Sequence, residues 1–268
     1  MAYETVIMQK KGKIAIITLN RPEARNAINP ALQRDLAAAM EEVDKDENIE
    51  VLILTGAGTA FCAGMDLKYL GQAGPGAGAE RAAEDPDRPH NWAKLINFRC
   101  PTIAAVNGPT ITGGFELALS CDMIIASENA FFGDTHARVG IVPGGGMSQI
   151  LPRLVGSKRA MEISLGCDFV SAKEAAQMGF VNRVVPADKL LETAEALAKK
   201  IMGNNKECML KVRQLIKEGY DGDFRTGMRI ERLRAAAWSA QVRPQDVEAR
   251  RPGILEKGRK QAKEAQAR

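Results

Sequence analysis

The stretch Ile103-Ala104-Ala105-Val106-Asn107-Gly108-Pro109-Thr110-Ile111-Thr112-Gly113-Gly114-Phe115-Glu116 decides how this chain is to be read. Its apolar run, Ile103 to Val106, ends at Asn107-Gly108, a turn dipeptide. Gly113-Gly114 follow, and Phe115 to Cys121 reads as a short buried helix beginning near Gly114. Strand, glycine turn and helix in this order put backbone N–H groups at the positive end of a helix dipole, a place suited to an anion or a developing oxyanion. Glu116 falls in the first helical turn, so a carboxylate stands beside whatever those N–H groups hold.

Upstream, Lys13 to Leu19 and Ile49 to Thr55 read as strands, and Asn20-Arg21-Pro22 closes the first. Between them Leu32, Leu36, Met40 and Val43 recur at spacings of three and four, which predicts an amphipathic helix over Pro30–Val43. The second strand runs into the loop Gly56 to Asp66. From Gly71 to Pro89 the composition shifts to Gly, Ala, Pro and charged residues, the mark of a mobile surface insertion. Trp92–Phe98 reads as a helix and Pro101–Val106 as the strand feeding the opening stretch.

Downstream, Asp122–Ala126 and Ala130–Gly133 are short strand candidates. The turn Val139 to Gly146 leads into a helix over Met147–Val155. Two helical pieces and a strand over Phe180–Val185 come next. From Ala187 onward the pattern is almost continuously helical. Alternating strands and helices followed by helices alone predict an α/β core of residues 1–200 and a C-terminal helical region of 201–268.

Composition narrows the function classes. The 268 residues are 45% hydrophobic and 26% charged, an ordinary soluble balance. The net charge of +4 is mild and dispersed, without the aromatic-basic interleaving of single-strand binders, so nucleic acid is not the expected partner. No run is apolar over the length a spanning helix needs, and the N-terminus lacks a signal-peptide core, so no membrane partner is expected. Five scattered cysteines without a CxxC pair argue against a disulfide framework or zinc site and for a reducing compartment, the cytoplasm by default.

Four segments, in this order and spacing, resemble the crotonase superfamily of enoyl-CoA hydratases and isomerases. They are Asn20-Arg21-Pro22-Glu23-Ala24-Arg25-Asn26-Ala27, Ala60-Phe61-Cys62-Ala63-Gly64-Met65-Asp66-Leu67, Ile103 to Glu116 with Cys121-Asp122, and Phe132-Gly133 through Val139-Gly140 to Pro143-Gly144. The resemblance covers nearly the whole chain. It implies an α/β spiral of repeated ββα units with a C-terminal helical region that helps cover the acyl-CoA site. It also implies a homotrimer or a dimer of trimers, and no cofactor beyond the CoA of the substrate.

By the same resemblance, the N–H groups of Met65 and Gly113 form an oxyanion hole for the thioester enolate, and losing one such donor typically costs about 3 kcal/mol. Glu116 matches the family's first catalytic carboxylate. Without the resemblance, a first-turn glutamate favouring the dipole would be the simpler reading. Where family hydratases carry their second carboxylate, this chain has His136.

Three readings of His136 compete. It is the second acid/base group, since imidazole serves either role near neutral pH; or it is a structural histidine bonded to Asp134 or Thr135; or the site binds acyl-CoA without turnover. On an extended backbone Asp134 and His136 share a face. An isomerase, moving one proton between carbons, needs Glu116 alone, and other CoA-thioester lyases or hydrolases use the same scaffold. For CoA itself the resemblance points to Glu23, Ala24, Arg25 and Ala27 on one wall and Ala63, Asp66 and Leu67 on the other. Gly114 is expected among the substrate and CoA contacts, as are Trp238 and Lys257 from the C-terminal region, where Pro244 and Pro252 are expected to break the helices. Arg25 suits a phosphate. His90, at the edge of the polar insertion, reads as a surface residue.

Overall fold

A computed structural model of the chain describes residues 3–73 and 92–266. Two six-residue strands open it: β1 (Val6–Lys11) and β2 (Ile14–Leu19) pair antiparallel around a two-residue turn, with Lys11 opposite Ile14. The sequence reading had only the second of these. Strand β1 is an edge strand with mostly exposed side chains, so it lacks the apolar density that marks β2.

Strand β3 (Val51–Gly56), β4 (Thr102–Val106), β6 (Met123–Ser127) and β9 (Arg183–Val185) continue the sheet in parallel, in the order β1-β2-β3-β4-β6-β9. The central strands are buried on both faces, which is why they read as unbroken apolar runs. Ala15, Ile17, Leu19, Leu52, Leu54, Ala104 and Val106 face the main core. Their alternates Ile14, Ile16, Val51, Ile53, Ile103 and Ala105 pack against Leu190, Ala194 and Ala198 of a helix over Leu190–Met202.

On the main-core side lies α1 (Pro30–Lys45), begun by the Asn29 side chain, which accepts from Leu32 N–H at 2.9 Å. Its buried residues are Leu32, Leu36, Ala39, Met40 and Val43, the stripe expected from spacing. A second sheet of three short strands, β5 (Thr110–Ile111), β7 (Phe131–Gly133) and β8 (Val170–Ser171), stands beside this core. Phe115, Phe132 and Phe180 fill the core there with ring centroids 5.2–5.3 Å apart.

The remaining helices are α2 (Leu67–Ala73), α3 (Ala93–Ile96), α4 (Gly113–Leu119), α5 (His136–Val139), α6 (Met147–Val155), α7 (Ser157–Gly166), α8 (Ala172–Met178) and α9 (Leu190–Met202). Residues Gly71 to Ala73, expected to begin the polar insertion, close α2 instead. The rest of that insertion and His90 lie outside the described residues. The helix expected over Trp92–Phe98 is a single turn. Helix α4 begins at Gly113 and spans only seven residues, so the dipole expected at its mouth is small, and individual N–H groups matter more.

The chain divides into two compact units at Lys206/Glu207. The second unit consists of helices: α10 (Lys206–Asp221), α11 (Phe224–Ser239) and α12 (Pro244–Gln266), none with a buried side chain. Within it Arg234 pairs with Glu218 at 2.7 Å, and Lys211 Nζ lies 5.0 Å from the Trp238 ring centre. Pro244 opens α12 as its first residue. Pro252 does not break the helix as expected: α12 continues through it to Gln266, forgoing one backbone hydrogen bond.

Candidate active site

The loops leaving the C-terminal ends of β3 and β4 meet, the edge at which parallel sheets place their sites. Phe61 and Cys62 N–H both donate to Pro109 O, at 3.1 and 3.2 Å, and Ile111 N–H donates to Cys62 O at 2.9 Å. On the other side of the β3 loop, Ile28 N–H donates to Gly64 O at 2.7 Å and Asp66 N–H to Ile28 O at 2.9 Å. In such a parallel bridge the middle residue, Met65, turns its own N–H away from Ile28.

Gly64 lets the two loops touch. It has φ +86, and a Cβ there would come 2.8 Å from Ile111 O and 3.5 Å from Gly113 N. A Cβ on Gly113 would in turn lie 3.9 Å from Met65 N and 3.4 Å from Ile28 Cδ1. The N–H groups of Met65 and Gly113 are therefore neighbours across a contact that Gly64 makes possible.

Three residues on, Glu116 is 2% exposed. Its Oε1 accepts from Gly145 N–H at 2.8 Å and from Met147 N–H at 3.2 Å. Two main-chain donors hold this oxygen in place, and Oε2 lies toward the buried Trp92 indole. A Cβ on Gly145 would be driven into both Trp92 Nε1 and Glu116 Oε2, so this glycine is required by close approach.

The sequence around His136 folds into a tight cap. Asp134 is 1% exposed and His136 8%. Asp134 Oδ1 accepts from His136 N–H at 3.1 Å and lies 2.6 Å from His136 Nδ1. The contact comes from the first turn of α5, with Thr135 as its cap, and not from the extended face-sharing expected. Burial alone would raise the Asp134 carboxyl; hydrogen bonds from the His136 ring, Ser164 and the His136 N–H outweigh it and hold it below the ordinary carboxylate range. A ring whose Nδ1 faces a carboxylate presents Nε2 as its working nitrogen.

The two corners are joined. Strand β5 pairs with β7 in parallel, Ile111 opposite Gly133, and Thr112 N–H continues the ladder to Gly133 O at 2.8 Å. The hydroxyls of Thr112 and Thr135 are 2.6 Å apart. Cys62, also at this junction, is fully buried, and burial pushes its thiol up to about 12, which disfavours the thiolate.

The family model for enoyl-CoA hydratase/isomerase matches residues 9–261. The chain belongs to the enoyl-CoA hydratase/isomerase family. It is 39% identical over 237 residues to a probable peroxisomal enoyl-CoA hydratase of Arabidopsis thaliana, covering 88% of this chain and 87% of the relative. It is 36% identical over 259 residues to a crotonyl-CoA hydratase of Syntrophomonas wolfei, covering 96% and 97%. A crystal structure of a Geobacillus kaustophilus enoyl-CoA hydratase subunit superposes with a TM-score of 0.84 at 34% identity, covering 95% and 96%. The mixed α/β core with its helical C-terminal region is thus the crotonase fold.

Within this family member, the first-unit residues expected to meet CoA lie on the loops of the same junction. A short 3-10 turn, Pro22–Ala24, leads into Arg25 and Asn26, both left-handed at φ 51 and 57. Arg25 O accepts from Ala63 N–H at 3.0 Å, which joins the two expected walls. Glu23, Arg25 and Leu67 are exposed, whereas Ala27 is buried. The Asp66 carboxylate is occupied by Arg21, at 3.1 and 3.2 Å, and by Lys68 N–H, so it braces the loop carrying Met65. Gly114 packs on the Cys62 carbonyl, which accounts for its lack of a side chain. Trp238 and Lys257 belong to the second unit.

Sequence reasoning passed over several of the supports. The fully buried Asn26 donates to Ala57 O and Ala60 O at 2.9 and 2.8 Å and accepts from Arg21 N–H, and its place in the Asn20–Ala27 segment was the available signal. Gly145 had a signal in its triple-glycine run. Trp92, and the pairing of Thr112 with Thr135, had none.

Proposed function

We propose that the protein hydrates an α,β-unsaturated enoyl-CoA to the β-hydroxyacyl-CoA. The observation that carries this reading is the convergence of two adjacent main-chain N–H groups, Met65 and Gly113, with a buried, amide-anchored carboxylate, Glu116, one helical turn away. Members of the family named as hydratases, including the crotonyl-CoA hydratase above, support it.

In this reading the thioester oxygen sits between the two N–H groups, which stabilise it as charge moves onto it from the double bond. Glu116 Oε1 is already committed to Gly145 and Met147, leaving Oε2 to take a proton from water as its oxygen bonds to the β-carbon. His136, steadied through Nδ1 by Asp134, delivers a proton from Nε2 to the α-carbon. One O–H bond of water and the C=C π bond break, and one C–O and one C–H bond form; the proton gained by Glu116 returns to His136 through solvent, which resets the pair. No net change of oxidation state occurs, so the step needs no redox cofactor. The Asp134 contact favours this role over a binding-only site, because a buried carboxylate on Nδ1 fixes the orientation of the ring and leaves Nε2 as the nitrogen that can face a substrate.

The pantetheine and phosphates follow the rim of Glu23, Ala24, Arg25, Ala27, Ala63 and Leu67, with Arg25 on a phosphate. The cytoplasm is the compartment. We assign the assembly as a trimer of this chain, alone or doubled. In the first unit the large apolar side chains of Val142, Leu165, Met161 and Phe169 are 85%, 74%, 57% and 53% exposed, which supports an assembly that covers them. Light scattering at working concentration reads the mass directly, and a monomer would overturn this assignment.

The activity test follows loss of the enoyl chromophore with crotonyl-CoA and longer enoyl-CoAs for wild type, Glu116→Gln and His136→Ala. Binding of every thioester without turnover of any would reject the hydratase reading. Movement of the double bond without water uptake would replace it with an isomerase.

A further inference from the structure

Thr112 is held in a conformation that threonine avoids. Its backbone angles are φ 52 and ψ −112. Arg25 and Cys167 also have positive φ, but with ψ 38 and 24 they sit in the ordinary left-handed basin. Thr112 lies outside it, where a β-branched residue is an outlier and glycine is at ease. Such strain persists only where the surroundings over-determine it.

Those surroundings are visible at every group of the residue. Its N–H donates to Gly133 O at 2.8 Å, its C=O accepts from Glu116 N–H at 3.0 Å, and its hydroxyl lies 2.6 Å from that of Thr135. Its Cβ stands 3.3 Å from where a Gly64 Cβ would be, against the loop that carries Met65. The consequence is geometric. The Gly113 N–H belongs to the peptide plane between residues 112 and 113, and the ψ angle of Thr112 sets where that plane points. A residue with a free ψ here would let the plane rock; one pinned through its side chain does not.

We propose that the Thr112–Thr135 hydroxyl pair aims the Gly113 N–H at the substrate oxygen and ties that donor to the turn bearing His136. Thr112 and Thr135 are then positioning residues, and the strain at Thr112 is what fixes the donor. The pair bridges β5 to the cap of α5, so the oxyanion donor and the acid/base group move as one body. This inference rests on the hydratase reading, in which Gly113 is an oxyanion donor.

The test uses the full-length protein with para-dimethylaminocinnamoyl-CoA, whose absorption moves to the red as its carbonyl is polarised, alongside turnover of crotonyl-CoA. Thr112→Val and Thr135→Val each remove the hydroxyl bond; Thr112→Ser and Thr135→Ser keep it. The valine variants are expected to lose most of the red shift and about ten-fold or more in kcat with KM little changed, as a misaimed donor would. The serine variants should keep both. The double valine variant should be no worse than the poorer single one, because the two share one bond. If Thr112→Val does not fold, Thr135→Val carries the same readout with the strained residue intact.

Full red shift and kcat in Thr135→Val, with only a lower Tm, would make the pair structural and overturn the inference while leaving the hydratase reading in place. Absence of a red shift in wild type would overturn the reading and the inference together.

Discussion

Glu116 and His136 occupy matching places in the fold and are held by opposite means. Each sits in the first turn of a short helix, α4 or α5, that follows one of two paired parallel strands, β5 or β7. Glu116 is anchored by main-chain donors, the N–H groups of Gly145 and Met147. His136 is anchored by a side chain, Asp134. A main-chain anchor survives any substitution that keeps the backbone path, whereas a side-chain anchor lasts only as long as its residue. The carboxylate corner is therefore set by the fold, and the histidine corner by local sequence.

The largest expected effect falls on the corner set by the fold. Glu116→Gln keeps an oxygen for both amides, so the protein should fold normally and bind the thioester. Its kcat should fall by about 10²–10⁴-fold, the usual share of a general acid or base. A variant with wild-type turnover would break the comparison at its stronger end. His136→Ala should cost about 10²-fold in kcat. Unchanged activity would make His136 a structural partner of Asp134 and leave Glu116 as the sole proton carrier.

Gly145→Ala probes the main-chain anchor itself. The new methyl group meets Trp92 and the Glu116 carboxylate, both buried and neither at the end of a free side chain. Overpacking of this kind costs about 1–3 kcal/mol, which thermal melting would read as a drop of several degrees, with loss of activity as Oε2 is displaced. Full stability and activity would mean that the Gly145 segment yields, and that the carboxylate corner is less fixed than its hydrogen bonds imply.

The same contrast explains what could be read from the sequence. The central strands declared themselves because burial on both faces makes them apolar throughout, and α1 because its stripe has helical spacing. Met65, Gly113 and Glu116 were reached through motifs in which glycines mark where chains touch. Edge strand β1 escaped because an exposed ladder needs no apolar residues. The Asp134–His136 contact was anticipated as a pairing but assigned the wrong backbone, since a one-turn helix of four residues leaves no periodicity to detect. Thr112 with Thr135, and Trp92 with Glu116, are long-range meetings of residues common in any chain. Only the folded path of β5 beside β7, or of Trp92 under Gly145, brings them together.

The smallest effect tests the side-chain anchor. The Asp134 carboxyl is held below its ordinary value, chiefly against burial, by the His136 and Ser164 hydrogen bonds. A depressed carboxyl contributes stability that is fully present above its unfolded pKa, about 4, and is lost as the pH falls through the lower folded value. Asp134→Asn can still accept from Nδ1, so at neutral pH it should give up only the charge-assisted part of the bond, about 1 kcal/mol. Asp35 and Asp66 are depressed as well, so wild type loses stability in acid for several reasons at once. The informative quantity is the difference in Tm between wild type and Asp134→Asn. It should be present at about pH 5 and close toward zero as the pH falls below about 4. A difference that stays constant into acid would show that the carboxylate charge plays no part in holding His136, and that this corner, like the other, is fixed by geometry alone.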